Sequence, residues 1–126
     1  MPRRSLELMT ESMLYTLMAL QTGPRCGTEI SAWVEGLTGG RVRLGPGTLY
    51  TILNKFLEVG YLREVAVEGR KRTYALTEAG KSAYEQELER LRQCLRDAAS
   101  APAFALEEGG ELREGPDLAP APLPAL

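Results

Sequence analysis

Between residues 10 and 57 the apolar positions fall into three stripes of helical period. In the first, over residues 10–20, Met13, Leu14, Leu17, Met18 and Leu20 make a broad apolar face, and Thr10 or Ser12 can cap its start. Gly23-Pro24 breaks the pattern. The second stripe, Ile30, Trp33, Val34 and Leu37, predicts a helix over 28–37 that exits at Gly39 and Gly40, both able to take positive φ. A short connector, RVRL, leads to the clearest stripe: Leu49, Ile52, Leu53, Phe56 and Leu57 on one side, with Tyr50, Thr51, Asn54, Lys55 and Glu58 opposite. Pro46 stands at the first helical position, where its missing N–H has no intrahelical partner anyway, and Gly60 ends the helix.

The period then drops to two. Residues 61–67 and 70–76 flank Glu68-Gly69 and predict a β-hairpin. Thr77 is placed to cap a long helix on which Tyr84, Leu88, Leu91, Leu95 and Ala98 form a short heptad seam. Beyond it the chain turns to Ala, Pro, Gly and Glu, the composition of a disordered tail. The expected class is mainly α with a small β-hairpin. Residues 1–76 form a winged helix-turn-helix domain, 77–99 a C-terminal dimerisation helix, and 100–126 the tail. In that fold the third helix enters the DNA major groove and the hairpin touches the flanking backbone.

Composition narrows the chemistry. The 126 residues are 44% hydrophobic and 25% charged, as in a globular domain, and no apolar run approaches the ~20 residues that span a membrane. The N-terminal MPRRSLELMTES has no apolar core after its arginines, so a cytoplasmic protein is expected. There is no His, and Cys26 and Cys94 are far apart, which excludes Cys/His zinc sites and Cys-His nucleophilic catalysis. Neither an enzyme, a metal nor a cofactor is expected. The net charge of −2 conceals an asymmetry: residues 1–84 carry 11 Lys/Arg against 8 Asp/Glu, whereas residues 85–126 carry 4 against 9. A basic front part can attract a polyanion despite the overall sign.

GPGTLY, residues 45–50, opens the third helix and matches neither a Walker loop nor a dinucleotide fingerprint. Small Gly47 permits close approach to a groove, and Thr48, Tyr50 and Thr51 offer hydroxyls to phosphate, with Asn54 and Lys55 further along the same side. The hairpin adds Arg70, Lys71 and Arg72, with Arg63 across it, and Arg41 and Arg43 precede the helix. These residues and Pro46 are the candidate contacts to double-stranded DNA. The seam Tyr84, Leu88, Leu91 and Leu95 is the candidate homodimer interface, which would match a palindromic operator with half-sites ~34–36 Å apart. Trp33 reads as a core residue, or as part of a ligand pocket at the dimer interface. The competing reading is a winged-helix protein-interaction module that does not bind DNA, which the acidic second half and the Pro/Ala tail would suit.

LTGGRVRLGPGTLYTILNKFLEVGYL, followed by GRKRTYALTEAGK, resembles the PadR family of winged-helix transcriptional regulators over residues 6–96. Its marks are a Gly-Gly turn, Pro-Gly-Thr-Leu-Tyr opening the recognition helix, and a basic wing ending in an aromatic residue and Leu-Thr-x-x-Gly. The resemblance implies a homodimeric DNA-binding repressor of the short C-terminal subgroup, relieved by a planar hydrophobic or phenolic effector. It also implies that Tyr50 approaches backbone phosphate and that Arg70, Lys71 and Arg72 form the wing. Two positions depart from the family's pattern. Thr51 replaces the usual proline, and Gly45 stands where a capping Ser or Asn is common.

Overall fold

In the computed structural model, residues 8–106 and 112–114 are described. They divide into two compact units, one up to Leu88 and one from Glu89 onward. The first unit holds three helices, α1 (Glu11–Gln21), α2 (Gly27–Thr38) and α3 (Pro46–Val59), and a three-stranded antiparallel sheet. The sheet runs in the order β1 (Arg25–Cys26), β3 (Lys71–Leu76), β2 (Leu62–Glu68). Helix α4 (Glu78–Ser100) begins in this unit and continues into the second. This is a winged helix.

Local chemistry sets the helix ends. Thr10 caps α1, its hydroxyl accepting from the Met13 N–H at 3.2 Å. Cys26 precedes α2, and its N–H donates to Glu29 Oε1 at 2.8 Å. Pro46 is the first residue of α3, as its fixed φ favours, and Gly60 closes that helix at φ 83°. The Tyr61 N–H then donates to the Phe56 carbonyl at 2.8 Å, turning the chain into β2.

Phe56, Leu17, Ile30, Leu49, Leu53 and Val34 are wholly buried where α1, α2 and α3 meet, so the stripes of all three helices face one core. Each such side chain contributes about 1.5–3 kcal/mol by leaving water. Val42 and Leu44 of the connector also point into that core, while Arg41 and Arg43 alternate outward. Thr38 holds the connector: its hydroxyl accepts from the Val42 N–H at 3.0 Å. Thr16, the one buried polar side chain among the described residues, donates to the Ser12 carbonyl at 2.8 Å.

Three details differ from the sequence reading. Leu37 is 56% exposed, because the inward stripe of α2 ends at Val34 and Thr38 takes the next inward place through its hydrogen bonds. The hairpin turn is Gly69-Arg70, with Glu68 paired to Lys71. Gly69 alone has positive φ there (60°), the requirement at the first position of a type II′ turn, which moves the loop one residue along. Finally, β1 was not foreseen. Arg25 pairs with Tyr74 and Cys26 with Thr73, so β3 is a central strand. A single-residue bulge at Val65 shifts the β2–β3 register between Glu64 and Ala66.

The second unit contains the rest of α4 and a two-stranded antiparallel pair, β4 (Phe104–Leu106) with β5 (Leu112–Glu114). A disordered tail was expected from residue 100. Ser100 is instead still helical, six residues of that stretch form these strands, and 107–111 and 115–126 lie outside the described residues.

Candidate nucleic-acid interface

Helix α3 packs four residues of its stripe inward and turns Pro46, Gly47, Thr48, Tyr50, Thr51, Asn54 and Lys55 to the exterior. Gly45 supplies no side-chain cap, and the first intrahelical bond runs from the Leu49 N–H to the Gly45 carbonyl at 2.9 Å. The Gly47 and Thr48 amides precede that bond, so they stay available to an anion at the positive end of the helix. Among the described residues, apart from its chain neighbours and its own helix's backbone, nothing lies within 4 Å of where a Cβ on Gly47 would sit. Close approach is therefore open from outside. Thr51 donates its hydroxyl proton to the Gly47 carbonyl at 2.9 Å, which leaves its oxygen as an acceptor only.

Two hollows flank this face. A cleft of about 750 Å³ between α3, the start of α2 and the hairpin is bordered by Tyr50, Asn54, Arg70, Lys71 and Arg72, together with Cys26, Gly27, Thr28, Glu29, Glu64 and Tyr74. A groove of about 570 Å³ toward α1 is bordered by Gly47, Thr48, Thr51 and Lys55 with Thr10, Ser12, Met13 and Ile52. Tyr50 lies across the first turn of α2. A Cβ added at Gly27 would stand 2.9 Å from the Tyr50 hydroxyl, so the glycine makes room for the ring. Nine of the candidate DNA contacts thus border one or other of these hollows; Pro46 borders a third, of about 390 Å³, with Tyr50 and Gly27, and Arg41, Arg43 and Arg63 border none of the three.

The cations differ in how free they are. Arg41 donates to Glu11 at 2.9 Å and to the Tyr15 hydroxyl at 2.8 Å, and the Glu11 hydrogen bond raises its pKa further. Arg43 pairs with Glu35 at 3.5 Å. In the wing, Arg72 donates to Glu64 at 2.8 Å, which likewise raises its pKa. Among the described residues Lys55, Arg63 and Arg70 have no ion-pair partner. Glu29 is held below the ordinary carboxylate value, first by the Cys26 N–H and more weakly by the charge of Lys71. Burial raises the Tyr74 phenol, and the Glu64 charge adds to it.

Sequence reasoning missed the two carboxylates of the cleft. Glu29 carried a readable signal, an acid three residues after the α2 N-cap. Glu64 carried none, because its place depends on the hairpin register. Cys26 and Gly27 were hidden with β1. Trp33 is half-buried against the core, with the Arg25 guanidinium 5.7 Å from its ring centroid. Along α4, Tyr84 packs on the core of the first unit, Leu88 and Leu91 are half-buried, and Leu95 is 40% exposed. Cys26 is buried, Cys94 is exposed, and both are free thiols. Among the described residues no group of three His, Cys, Asp or Glu could hold a metal, and no helix is long and apolar enough to cross a membrane.

Residues 16–86 match the model of the transcriptional regulator PadR-like family. The chain belongs to that family. The matched span runs from α1 into the first turns of α4 and so contains α3, the wing and every residue that borders the cleft between them. A transcriptional regulator from Clostridium thermocellum is similar, with a TM-score of 0.62 and 25% identity over 68% of this chain and 87% of its own. RosR of H. salinarum gives a TM-score of 0.56 and 25% identity, over 79% of this chain and 98% of its own. PadR of Bacillus subtilis, solved in complex with operator DNA, has the same fold at a TM-score of 0.56 and 22% identity, over 63% of this chain and 47% of its own. An uncharacterized 37.1 kDa protein in transposon TN4556 of Streptomyces fradiae is 36% identical over 77 residues. Those residues are 61% of this chain and only 22% of that protein.

Proposed function

We propose that this chain is a sequence-specific DNA-binding transcriptional repressor, acting as a homodimer on a palindromic operator. Family membership supports a role in transcription. One observation carries the DNA reading: the polar face of α3 and the basic strand of the wing border the same open cleft, with Lys55 and Arg70 unpaired nearby. Thr48, Tyr50, Asn54 and Lys55 would meet the major groove and its margins, and Arg70 and Lys71 the flanking phosphates. Each phosphate neutralised contributes about −0.9 to the slope of log affinity against log salt.

The Tyr84-to-Leu95 stripe on α4 supports the homodimer, since half-exposed apolar positions at heptad spacing suit a second copy of the same helix. Relief by a small planar hydrophobic effector would act at that dimer interface, with Trp33 as the candidate lining residue. The test is fluorescence anisotropy on DNA from the intergenic region of its own operon at several salt concentrations. Wild type should bind with a strong salt dependence, and R70A/K71A should bind more weakly with a shallower slope. Affinity indifferent to both overturns the reading, and a stoichiometric protein partner recovered without DNA would replace it with the interaction module.

A further inference from the structure

We infer that Glu64 sets the affinity of the wing for DNA by holding Arg72 in the unbound protein. The inference rests on the DNA reading above and concerns the same cleft. In the β2–β3 register Arg72 stands opposite Val67, and Glu64 stands opposite Tyr74, two positions further along β3. Residues two apart on a strand share a face, so Arg72 and Glu64 are diagonal neighbours within reach of long side chains. The structure closes that diagonal with a hydrogen-bonded ion pair of 2.8 Å. Both side chains border the cleft that Asn54 and Tyr50 of α3 face.

A phosphate approaching this cleft therefore meets a guanidinium already held through one of its nitrogens by a carboxylate. Glu64 fixes the orientation of the remaining donors and offsets part of the guanidinium's charge, so a phosphate gains less from Arg72 than from an unpaired arginine. Arg70, at the turn, has no such competitor. The three consecutive cations of the wing are thus unequal: Arg70 is free, Lys71 feels Glu29, and Arg72 is bound. Glu68 provides an internal comparison. It lies on the same strand and carries the same charge, yet it has no ion-pair partner among the described residues.

The experiment measures the affinity of full-length wild type, E64Q, E68Q, R72Q and E64Q/R72Q for the same intergenic DNA, with wild type titrated at several salt concentrations and the variants compared with it at one of them. Thermal melts confirm that each variant is folded. The E64Q protein should bind about two- to five-fold more tightly than wild type, the range that an exposed ion pair supplies. E68Q should gain less, and the gain from E64Q should shrink to the E68Q level in the R72Q background. Unchanged affinity of E64Q overturns the inference. So does a gain undiminished by R72Q, because Glu64 would then act through its own charge and not by holding Arg72. Wild type that shows no salt-dependent binding overturns the DNA reading itself, and this inference with it.

Discussion

Gly80, in the first turn of α4, is buried where that helix meets the turn after α3. A methyl group added there would overlap the Tyr61 carbonyl oxygen, stand 3.0 Å from its carbon and reach within 3.1 Å of Leu76 Cδ2. The obstacle is backbone, so no rotamer change relieves it. The first turn of α4 would have to retreat by roughly 1 Å to regain ordinary contact distances. That movement pulls on the joint which fixes the helix start. The Thr77 N–H donates to the Tyr61 carbonyl at 3.0 Å, the Thr77 hydroxyl donates to the Gly60 carbonyl at 2.6 Å, and the Gly80 N–H donates to the same hydroxyl at 3.1 Å. Overpacking costs about 1–3 kcal/mol and a weakened N-cap about 1. Alanine's better helix propensity returns up to about 1. Gly80→Ala should therefore destabilise by about 1–3 kcal/mol, read as a lower urea midpoint by far-UV circular dichroism. Gly36→Ala in α2, where no other described segment comes within 4 Å of the new Cβ, should instead stabilise by about 0.5–1 kcal/mol. If G80A is as stable as wild type while G36A behaves as expected, the packing argument is wrong.

Gly27→Ala should displace the Tyr50 ring and weaken DNA binding several-fold while leaving the melting temperature within a few degrees; anisotropy and a thermal melt on one preparation check both halves. The Glu29 carboxyl is held below its ordinary value of 4.5, so the stability it contributes is present above that value and is lost as pH falls through the lower folded one. Acid titrations followed by circular dichroism should accordingly show E29Q less stable than wild type near neutral pH and losing less stability between about pH 5 and 3. Charges introduced on the α4 stripe, L88E/L91E, should convert the proposed dimer to a monomer in analytical ultracentrifugation; a monomeric wild type would remove the homodimer from the proposal.

The three stripes of helical period, Pro46 at the start of α3 and the paired strands were legible because each is local. Spacing alone tells which side of α3 is buried, and a proline or a positive-φ glycine marks an end wherever the chain goes next. Other features arise only when distant segments meet. Arg25–Cys26 is too short to show a period, and its strand exists because β3 lies beside it. The Arg72–Glu64 ion pair needs a register that a turn reading displaced by one residue would misstate. Runs of charge are equally opaque. The sequence of Arg41, Arg43, Arg70, Lys71 and Arg72 shows five cations, whereas the fold assigns Glu11, Glu35 and Glu64 to three of them. Their carboxylate partners lie 30 residues away for Arg41 and only 8 away for Arg43 and Arg72, and on different elements in every case.

The short strand β1 changes the cost of association. An isolated two-stranded hairpin is marginally stable in water, and a protein that relied on one would have to order it each time DNA was bound. Here residues 73 and 74 of the wing are bonded on the far side to Arg25 and Cys26, so the stem is ordered during folding. The unsupported part is the tip, from Val67 and Arg72 to the turn at Gly69 and Arg70. Loss of conformational entropy on binding is thereby confined to a few residues, among them the free cation Arg70. Lengthening the tip would add reach and an entropic cost together, while the stem would keep its place beside α2.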